Sequence, residues 1–123
     1  LRRAAFRGQV EALLSSVDAV LTPIHPFAPL TLKTIATLGE QPELIAKLQR
    51  YTCPFNMSGH PTLAFPGGVS ADGMPIGLQL IAAAFDESSL LALGAAFQGW
   101  TEWHRRRPDL DDGLAESHVA GAA

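Results

Sequence analysis

The sequence predicts an α/β fold, in which a sheet is flanked by helices, from two kinds of pattern. Two short apolar runs, Thr62–Phe65 and Ile76–Ala82, are bounded by glycine and proline, which is typical of paired β-strands. Near both ends of the chain, apolar residues recur every three or four positions, which is typical of amphipathic helices. We therefore expect one layer of strands covered by helices.

Composition limits the class of protein. The chain has 123 residues, enough for one domain with a real core, and its net charge of −3 gives no reason to expect a nucleic-acid partner. It shows no signal peptide and no apolar run long enough to predict a membrane span. Cys53 is the single cysteine and cannot form an internal disulfide, which favours a reducing, cytoplasmic location.

The chain begins with Leu1 rather than Met, so we expect a fragment or a processed product. Hydrophobic residues make up 47% of it and charged residues only 17%. Such an excess predicts a face that packs against missing sequence, and an unpaired strand edge that favours self-association into a homo-oligomer.

The first half of the chain predicts a helix, a strand, a loop and two short helices. Helical spacing covers residues 2–16, and the continuous apolar run Ala19–Leu21 is typical of a buried parallel strand. Three prolines within Thr22–Pro29 then indicate a loop at a strand end, where ligands bind in open α/β sheets. Thr31 is expected to cap a helix that ends at Gly39, and Pro42 to begin another.

The hairpin segment has a clear turn chemistry. Pro66 is expected to close the first strand because it cannot donate to a ladder. Asp72–Gly73 predicts a turn before Pro75, so Gly73→Val should disturb the hairpin whereas Ser70→Ala should be almost silent. Both faces of the second strand are apolar or small, which predicts a central strand of the sheet.

The last helix is predicted to begin at Asp86, a good N-cap residue. Its apolar stripe, expected to face the sheet, is Leu90, Leu93, Phe97 and Trp100. The basic run His104–Arg107 would complement the dipole of the helix C-terminus, and Pro108 would end the helix. Residues 108–123 lack periodicity and predict a disordered tail.

Several short motifs occur in one order along the chain. They are Asp18-Ala19-Val20-Leu21-Thr22-Pro23, Pro54-Phe55-Asn56, Gly59-His60-Pro61, Phe65-Pro66-Gly67-Gly68, Asp72-Gly73 and Pro75-Ile76-Gly77-Leu78-Gln79. Over roughly residues 1–104 this series resembles the C-terminal part of the amidase signature family, and the common order makes chance a poor explanation.

The resemblance implies that residues 1–107 are the C-terminal portion of an amidase domain, part of a mixed β-sheet flanked by helices. It implies a short helix within Tyr51–Gly59, and hydrolysis of a carboxamide or anilide C–N bond through an acyl-serine intermediate. The family's Ser–cis-Ser–Lys triad has no counterpart here, so no catalytic residue is assigned and the chain alone should be inactive. Its expected partners are an amide substrate and the missing N-terminal portion, and no cofactor is expected.

The resemblance also nominates a wall of the acyl pocket, formed by the proline loop and the helix before Gly59. The residues carried over are Ile24, His25, Pro26, Phe27, Thr52 and Phe55. A plain structural role is the alternative, in which Ile24 and Phe55 are ordinary core residues and Thr52 caps a helix.

Other chemistry is less well supported by the sequence. Ser58-Gly59-His60 suggests a serine–histidine pair, but no Gly-x-Ser-x-Gly elbow exists, and a packing or surface role for His60 is favoured. No pair of His or Cys has metal-ligand spacing, and Cys53 is expected to be a small buried residue.

Two alternative functions stay open. The chain could be a non-catalytic module that only binds or pairs. It could also belong to the amidase-like subunit of a tRNA-dependent amidotransferase, although Gln49 and Arg50 stand near the position where that branch of the family uses an acidic residue for its glutamine substrate.

Overall fold

A computed structural model describes residues 1–27 and 29–107 of the chain. Its helices are α1 (Arg2–Leu14), α2 (Leu32–Ala36), α3 (Pro42–Gln49), α4 (Cys53–Ser58) and α5 (Glu87–Trp100), and its strands are β1 (Val20–Pro23), β2 (Thr62–Val69) and β3 (Pro75–Ile81). Short 3₁₀ turns cover Leu38–Glu40 and Trp103–Arg105. The predicted α/β class is confirmed, while the predicted disordered tail, 108–123, lies outside the described residues.

The three strands form one antiparallel sheet in the order β1-β3-β2, so β3 is the central strand, as predicted. The prediction of a parallel β1 is wrong, because β1 pairs antiparallel with β3, Val20 opposite Ile81. A continuous apolar run indicates burial and carries no information on strand direction. Burial itself is incomplete, since the Leu21 side chain on β1 is 57% exposed.

The β2–β3 hairpin differs from prediction at Pro66. β2 continues to Val69, and the register shifts between Pro66 and Gly68, so Gly67 is an extra residue at a bulge. A Cβ at Gly67 would overlap the Leu78 side chain, which explains why glycine occupies that position. Proline is tolerated because β2 is an outer strand of this sheet and a bulge interrupts its ladder.

The predicted Asp72–Gly73 turn is present, with Gly73 at a φ of +79°. Ser70 has a larger part in this turn than the sequence indicated. Its hydroxyl accepts a hydrogen bond from the Met74 amide at 3.2 Å and lies 3.3 Å from the Met74 carbonyl oxygen, to which it donates. Ser70→Ala would remove both hydroxyl bonds and leave the bond from the Ser70 amide to the Met74 carbonyl at 2.8 Å, so its predicted small effect is now a question for a stability measurement.

One face of the sheet packs against α1 and α4. The buried residues there are Val10, Leu14 and Ile81, with Phe6, Val20 and Phe55 packed around them. Arg3 adds a tie between the helices, because its Nε donates to the Met57 carbonyl at 2.7 Å. No residue of α2 or α3 is buried.

The other face packs against α5, and the predicted stripe is only partly correct. Leu90 is 3% exposed and Phe97 contacts Phe65 with ring centroids 4.9 Å apart, but Leu93 is exposed and Trp100 is 85% exposed. The helix instead approaches the sheet at Gly94, where a Cβ would lie 2.6 Å from a Leu63 methyl carbon. Residues Leu90, Gly94 and Phe97 form the contact face because a glycine allows close approach.

The capping predictions are confirmed except at Gly39, because α2 ends at Ala36 and Gly39 lies within the following 3₁₀ turn. Asp86 caps α5 by accepting from the Ser89 amide at 3.3 Å, Thr31 caps α2 in the same way, and Gly59 ends α4 with a φ of +78°. α5 ends at Trp100, so the expectation that His104–Arg107 complements its C-terminus is wrong. These residues lie beyond the helix, where Arg105 pairs with Glu102 at 3.0 Å. No described helix is long and apolar enough to cross a membrane.

Candidate functional site

The proline loop is attached to the beginning of the central strand. β1 ends at Pro23, and the Ile24 amide then donates to the Gly77 carbonyl at 3.0 Å. A Cβ added to Gly77 would lie 2.8 Å from Ile24 Cδ1, so glycine lets the Ile24 side chain lie directly on β3. This packing fixes the direction in which the loop leaves the sheet.

A cavity of about 290 Å³ lies between this loop and the hairpin. Its described lining residues are His25, Phe27, Pro29, Ser70, Pro75, Ile76 and Gly77, none of them with a permanent charge. The rings of His25 and Phe27 stack with centroids 6.1 Å apart and an interplanar angle of 11°. The site is therefore an apolar cleft with an aromatic wall and one ionisable group, His25.

His25 is also held by a hydrogen bond to the neighbouring helix. Its Nδ1 lies 3.3 Å from the Leu48 carbonyl oxygen at the end of α3. Because a carbonyl oxygen can only accept, Nδ1 is the donor in this bond. The bond connects the loop to α3, a helix in which no residue is fully buried.

The predicted site residues fall into two groups. His25 and Phe27 line the cleft together, Ile24 lies beneath them on Gly77, and Pro26 is exposed beside them. Thr52 and Phe55 do not line this cleft. Thr52 begins α4 without a side-chain cap bond, and Phe55 packs against the core around Ile81, as the alternative interpretation expected for Phe55.

Gln79 connects the proline loop to the beginning of α4, and it was not among the site residues predicted from the sequence. Its side chain lies on the central strand and is 4% exposed. Nε2 donates to the Tyr51 carbonyl at 2.6 Å and to the Thr22 hydroxyl at 3.0 Å. A polar residue within an otherwise apolar central strand was the available signal, because a buried amide requires hydrogen-bond partners.

Ser58 and His60 form a buried pair away from the cleft. His60 Nδ1 lies 2.9 Å from Ser58 Oγ, and that hydroxyl donates to the Phe55 carbonyl at 3.2 Å. The Ser58 hydroxyl hydrogen is therefore used, and Nδ1 is the donor within the pair. Both residues are buried, and the geometry suits a tie at the end of α4.

Two further groups bear on reactivity. Cys53 is exposed, so the expectation of a buried cysteine is wrong; it occupies the first residue of α4, outside the core that this helix covers. Within residues 1–27 and 29–107, no cluster of three or more His, Cys, Asp or Glu side chains could hold a metal ion.

Comparison with known proteins agrees with this architecture. The family model described as Amidase matches residues 1–91. The putative amidase AmiD of Mycobacterium tuberculosis strain H37Rv is 44% identical over 107 residues, covering 87% of this chain and 22% of the relative. The A-type subunit of the glutamyl-tRNA(Gln) amidotransferase of Chloroflexus aggregans is 38% identical over 112 residues, covering 88% of this chain and 21% of the relative.

Solved structures give the same result. The 6-aminohexanoate cyclic dimer hydrolase, solved in complex with its substrate, is similar with a TM-score of 0.71 and 33% identity, over 88% of this chain and 24% of that chain. The corresponding amidotransferase subunit of Thermotoga maritima gives a TM-score of 0.57 and 27% identity, over 71% of this chain and 18% of its own. The chain spans only 22% of the length of the putative amidase that it matches. Because the family model covers residues 1–91, the chain belongs to the amidase signature family.

Proposed function

We propose that this chain is the C-terminal part of an amidase that hydrolyses carboxamide C–N bonds, and that residues 1–107 belong to its amidase domain. The catalytic serines and lysine would come from sequence outside these 123 residues. In the reaction, a serine oxygen attacks the amide carbonyl, the amine leaves, and water releases the acid from the acyl-serine. The observation that supports this best is an apolar cleft beside the proline loop of an amidase-family chain.

The cleft gives the chain a defined task in that reaction. His25 and Phe27 would contact the substrate, because they line the cleft from one side and stack on one another. Ile24, Pro26, Thr52 and Phe55 would shape the wall from behind and beside them. Apolar walls bury a substrate's hydrocarbon part and hold its carbonyl carbon in place, so their effect falls on substrate binding.

A chimeric enzyme tests this role. The matching segment of the 6-aminohexanoate cyclic dimer hydrolase, 24% of that chain, would be replaced by this chain. If His25 and Phe27 contact the substrate, His25→Ala or Phe27→Ala in the chimera should raise KM about tenfold or more, the value of a buried aromatic contact.

The control is Gln9→Ala, on the exposed side of α1, which should leave KM as it is. Equal KM values for the two cleft variants and the control would remove the cleft from the substrate site. The fold of each variant would be checked by circular dichroism, so that a lost structure is not mistaken for a lost contact.

An amidotransferase component is a second candidate, favoured by the 38% identity to a protein of that name. Its discriminating measurement is the amide accepted: glutamine carries two charges at its α-carbon, whereas the described lining of the cleft has no permanently charged partner for them. Preference of the chimera for glutamine over an uncharged amide would favour the amidotransferase.

A third candidate is a non-catalytic module, which would give no hydrolysis in any chimera. For all three candidates we propose a cytoplasmic location, supported by a single cysteine that has no internal disulfide partner.

A further inference from the structure

We propose that Gln79 is a positioning residue for the proposed substrate wall. Its amide joins the end of β1 to the beginning of α4, the two segments that carry the predicted site residues. The inference rests on the proposed function for its effect on substrate, while the bridge itself is a feature of the fold.

Each of the two residues that accept a hydrogen bond from Gln79 lies close in sequence to a residue of the proposed substrate wall. Thr22 lies two residues before Ile24, and Tyr51 directly precedes Thr52. Both acceptors bind the same nitrogen, Gln79 Nε2, at 3.0 Å and 2.6 Å. A shift of either segment therefore lengthens a hydrogen bond on a shared atom, and this couples the two segments.

The position of Gln79 on the central strand restricts the movement of its Nε2 atom. β3 is hydrogen-bonded to a strand on each side, so the Gln79 backbone has little freedom. The side chain is 4% exposed, and water cannot easily replace the lost partner of either acceptor. In the sheet, Gln79 lies opposite Thr22 of β1 on one side and opposite Ala64 of β2 on the other.

The chemistry of the bridge requires an amide. A carboxylate at this position could not donate to the Tyr51 carbonyl, and its charge would be buried against that oxygen. Methionine has a similar length but no N–H group, so Gln79→Met removes both bonds with little change in volume. Gln98→Met makes the same exchange at an exposed residue of α5 and is the matched control.

The first test uses the 123-residue chain and two-dimensional NMR of its amides. Gln79→Met should shift resonances outside the sheet, from Ile24 to Phe27 and from Tyr51 to Phe55, whereas Gln98→Met should shift neither. If Gln79→Met does not fold, Thr22→Val replaces it, because this variant removes one acceptor and should still shift resonances of Tyr51 and its neighbours. Shifts confined to β3 and its paired strands would overturn the bridge.

The second test uses the chimera. Gln79→Met should raise KM about three- to tenfold, the value of one or two such hydrogen bonds, with kcat changed less. A purely structural role would lower the folded fraction and leave KM of the remaining enzyme unchanged. Adding Thr22→Val to Gln79→Met should have little further effect on KM, because the bond is already absent.

The two proposals fail in different ways. If His25→Ala raises KM and Gln79→Met does not, the positioning role is wrong and the proposed wall stands. If neither variant changes KM while Gln79→Met shifts both segments in the NMR spectrum, the proposed wall is wrong, and with it the claim that Gln79 acts on substrate.

Discussion

At the scale of single residues, a few polar side chains connect segments of the fold through specific hydrogen bonds. Gln79 bridges two segments, Ser58 and His60 close the end of α4, and Ser70 holds the hairpin turn. On unfolding, each of these groups would exchange its protein partner for water. Their individual contributions are modest, but an unpaired buried group is costly, so their replacements are informative.

The turn gives the first prediction. Gly73→Val should destabilise the chain by about 1–2 kcal/mol or more, because Gly73 has a φ of +79° and a branched side chain resists this conformation. The change would be measured by urea unfolding. Gly68→Ala is the control, since a Cβ there meets nothing within 4 Å and the loss should be much smaller. Equal losses in the two variants would argue against strain at Gly73.

Asp86 gives a prediction on pH. Hydrogen bonds from Ser89, opposed by partial desolvation and aided by Ser88, lower the pKa of this carboxyl below its usual value of 3.8. A group whose pKa is lowered by folding stabilises the native state above the unfolded pKa, and that stabilisation is lost as pH falls through the folded pKa. Asp86→Asn keeps an N-cap but cannot titrate, so its urea midpoint should fall less steeply below about pH 4. Parallel curves for the two proteins would contradict this assignment.

At the scale of elements, α5 is held by a narrow contact face. The helix is apolar on several sides, with Leu91 and Leu93 exposed beside the buried Leu90. Gly94 determines which side meets the sheet, because it allows the backbone to approach Leu63. The close approach explains why a count of apolar residues at helical spacing selected Leu93 and Trp100 wrongly.

A pair of leucine variants tests this face. Leu90→Ala should destabilise the chain by about 2–5 kcal/mol, the usual cost of a large-to-small change in a core. Leu91→Ala, at a side chain that is 65% exposed, should cost well under half of that. Similar unfolding midpoints for both variants would show that α5 packs through another side.

The same elements show what sequence can predict. The N-caps at Thr31 and Asp86 and the turn at Gly73 were predicted, because these features depend on local backbone chemistry. The direction of β1 and the passage of β2 through Pro66 were not, because they depend on which strands meet in space. The proline loop was predicted as a candidate site. That Ile76 of the hairpin lines the same cleft, and that Gln79 bonds to Tyr51, could be seen only in the three-dimensional structure.

At the scale of the whole molecule, the chain carries apolar surface that a small domain would normally bury. Leu21 is exposed on β1, Ile76 beside the cleft, and Leu32 on α2. The chain also spans only 22% of the relative with which it shares 44% identity. Under the proposed function, this surface would pack against the rest of an amidase domain.

This surface predicts the behaviour of the isolated chain. It should self-associate or bind a hydrophobic dye, because an outer strand such as β1 and exposed leucines favour association. Light scattering after size-exclusion chromatography would measure this. Leu21→Lys, a charge on the outer strand, should reduce association, and a monomeric wild-type chain without dye binding would contradict the prediction.

The most direct test of the account is an amide hydrolysis assay on three proteins. These are the chain alone, the 6-aminohexanoate cyclic dimer hydrolase without its matching segment, and the chimera that joins them. We expect the first two to be inactive, because one lacks the nucleophile and the other lacks part of its substrate wall, and the chimera to hydrolyse an amide. Turnover by the chain alone, abolished by Ser58→Ala or His60→Ala, would contradict the account, because the catalytic groups would then lie within these 123 residues.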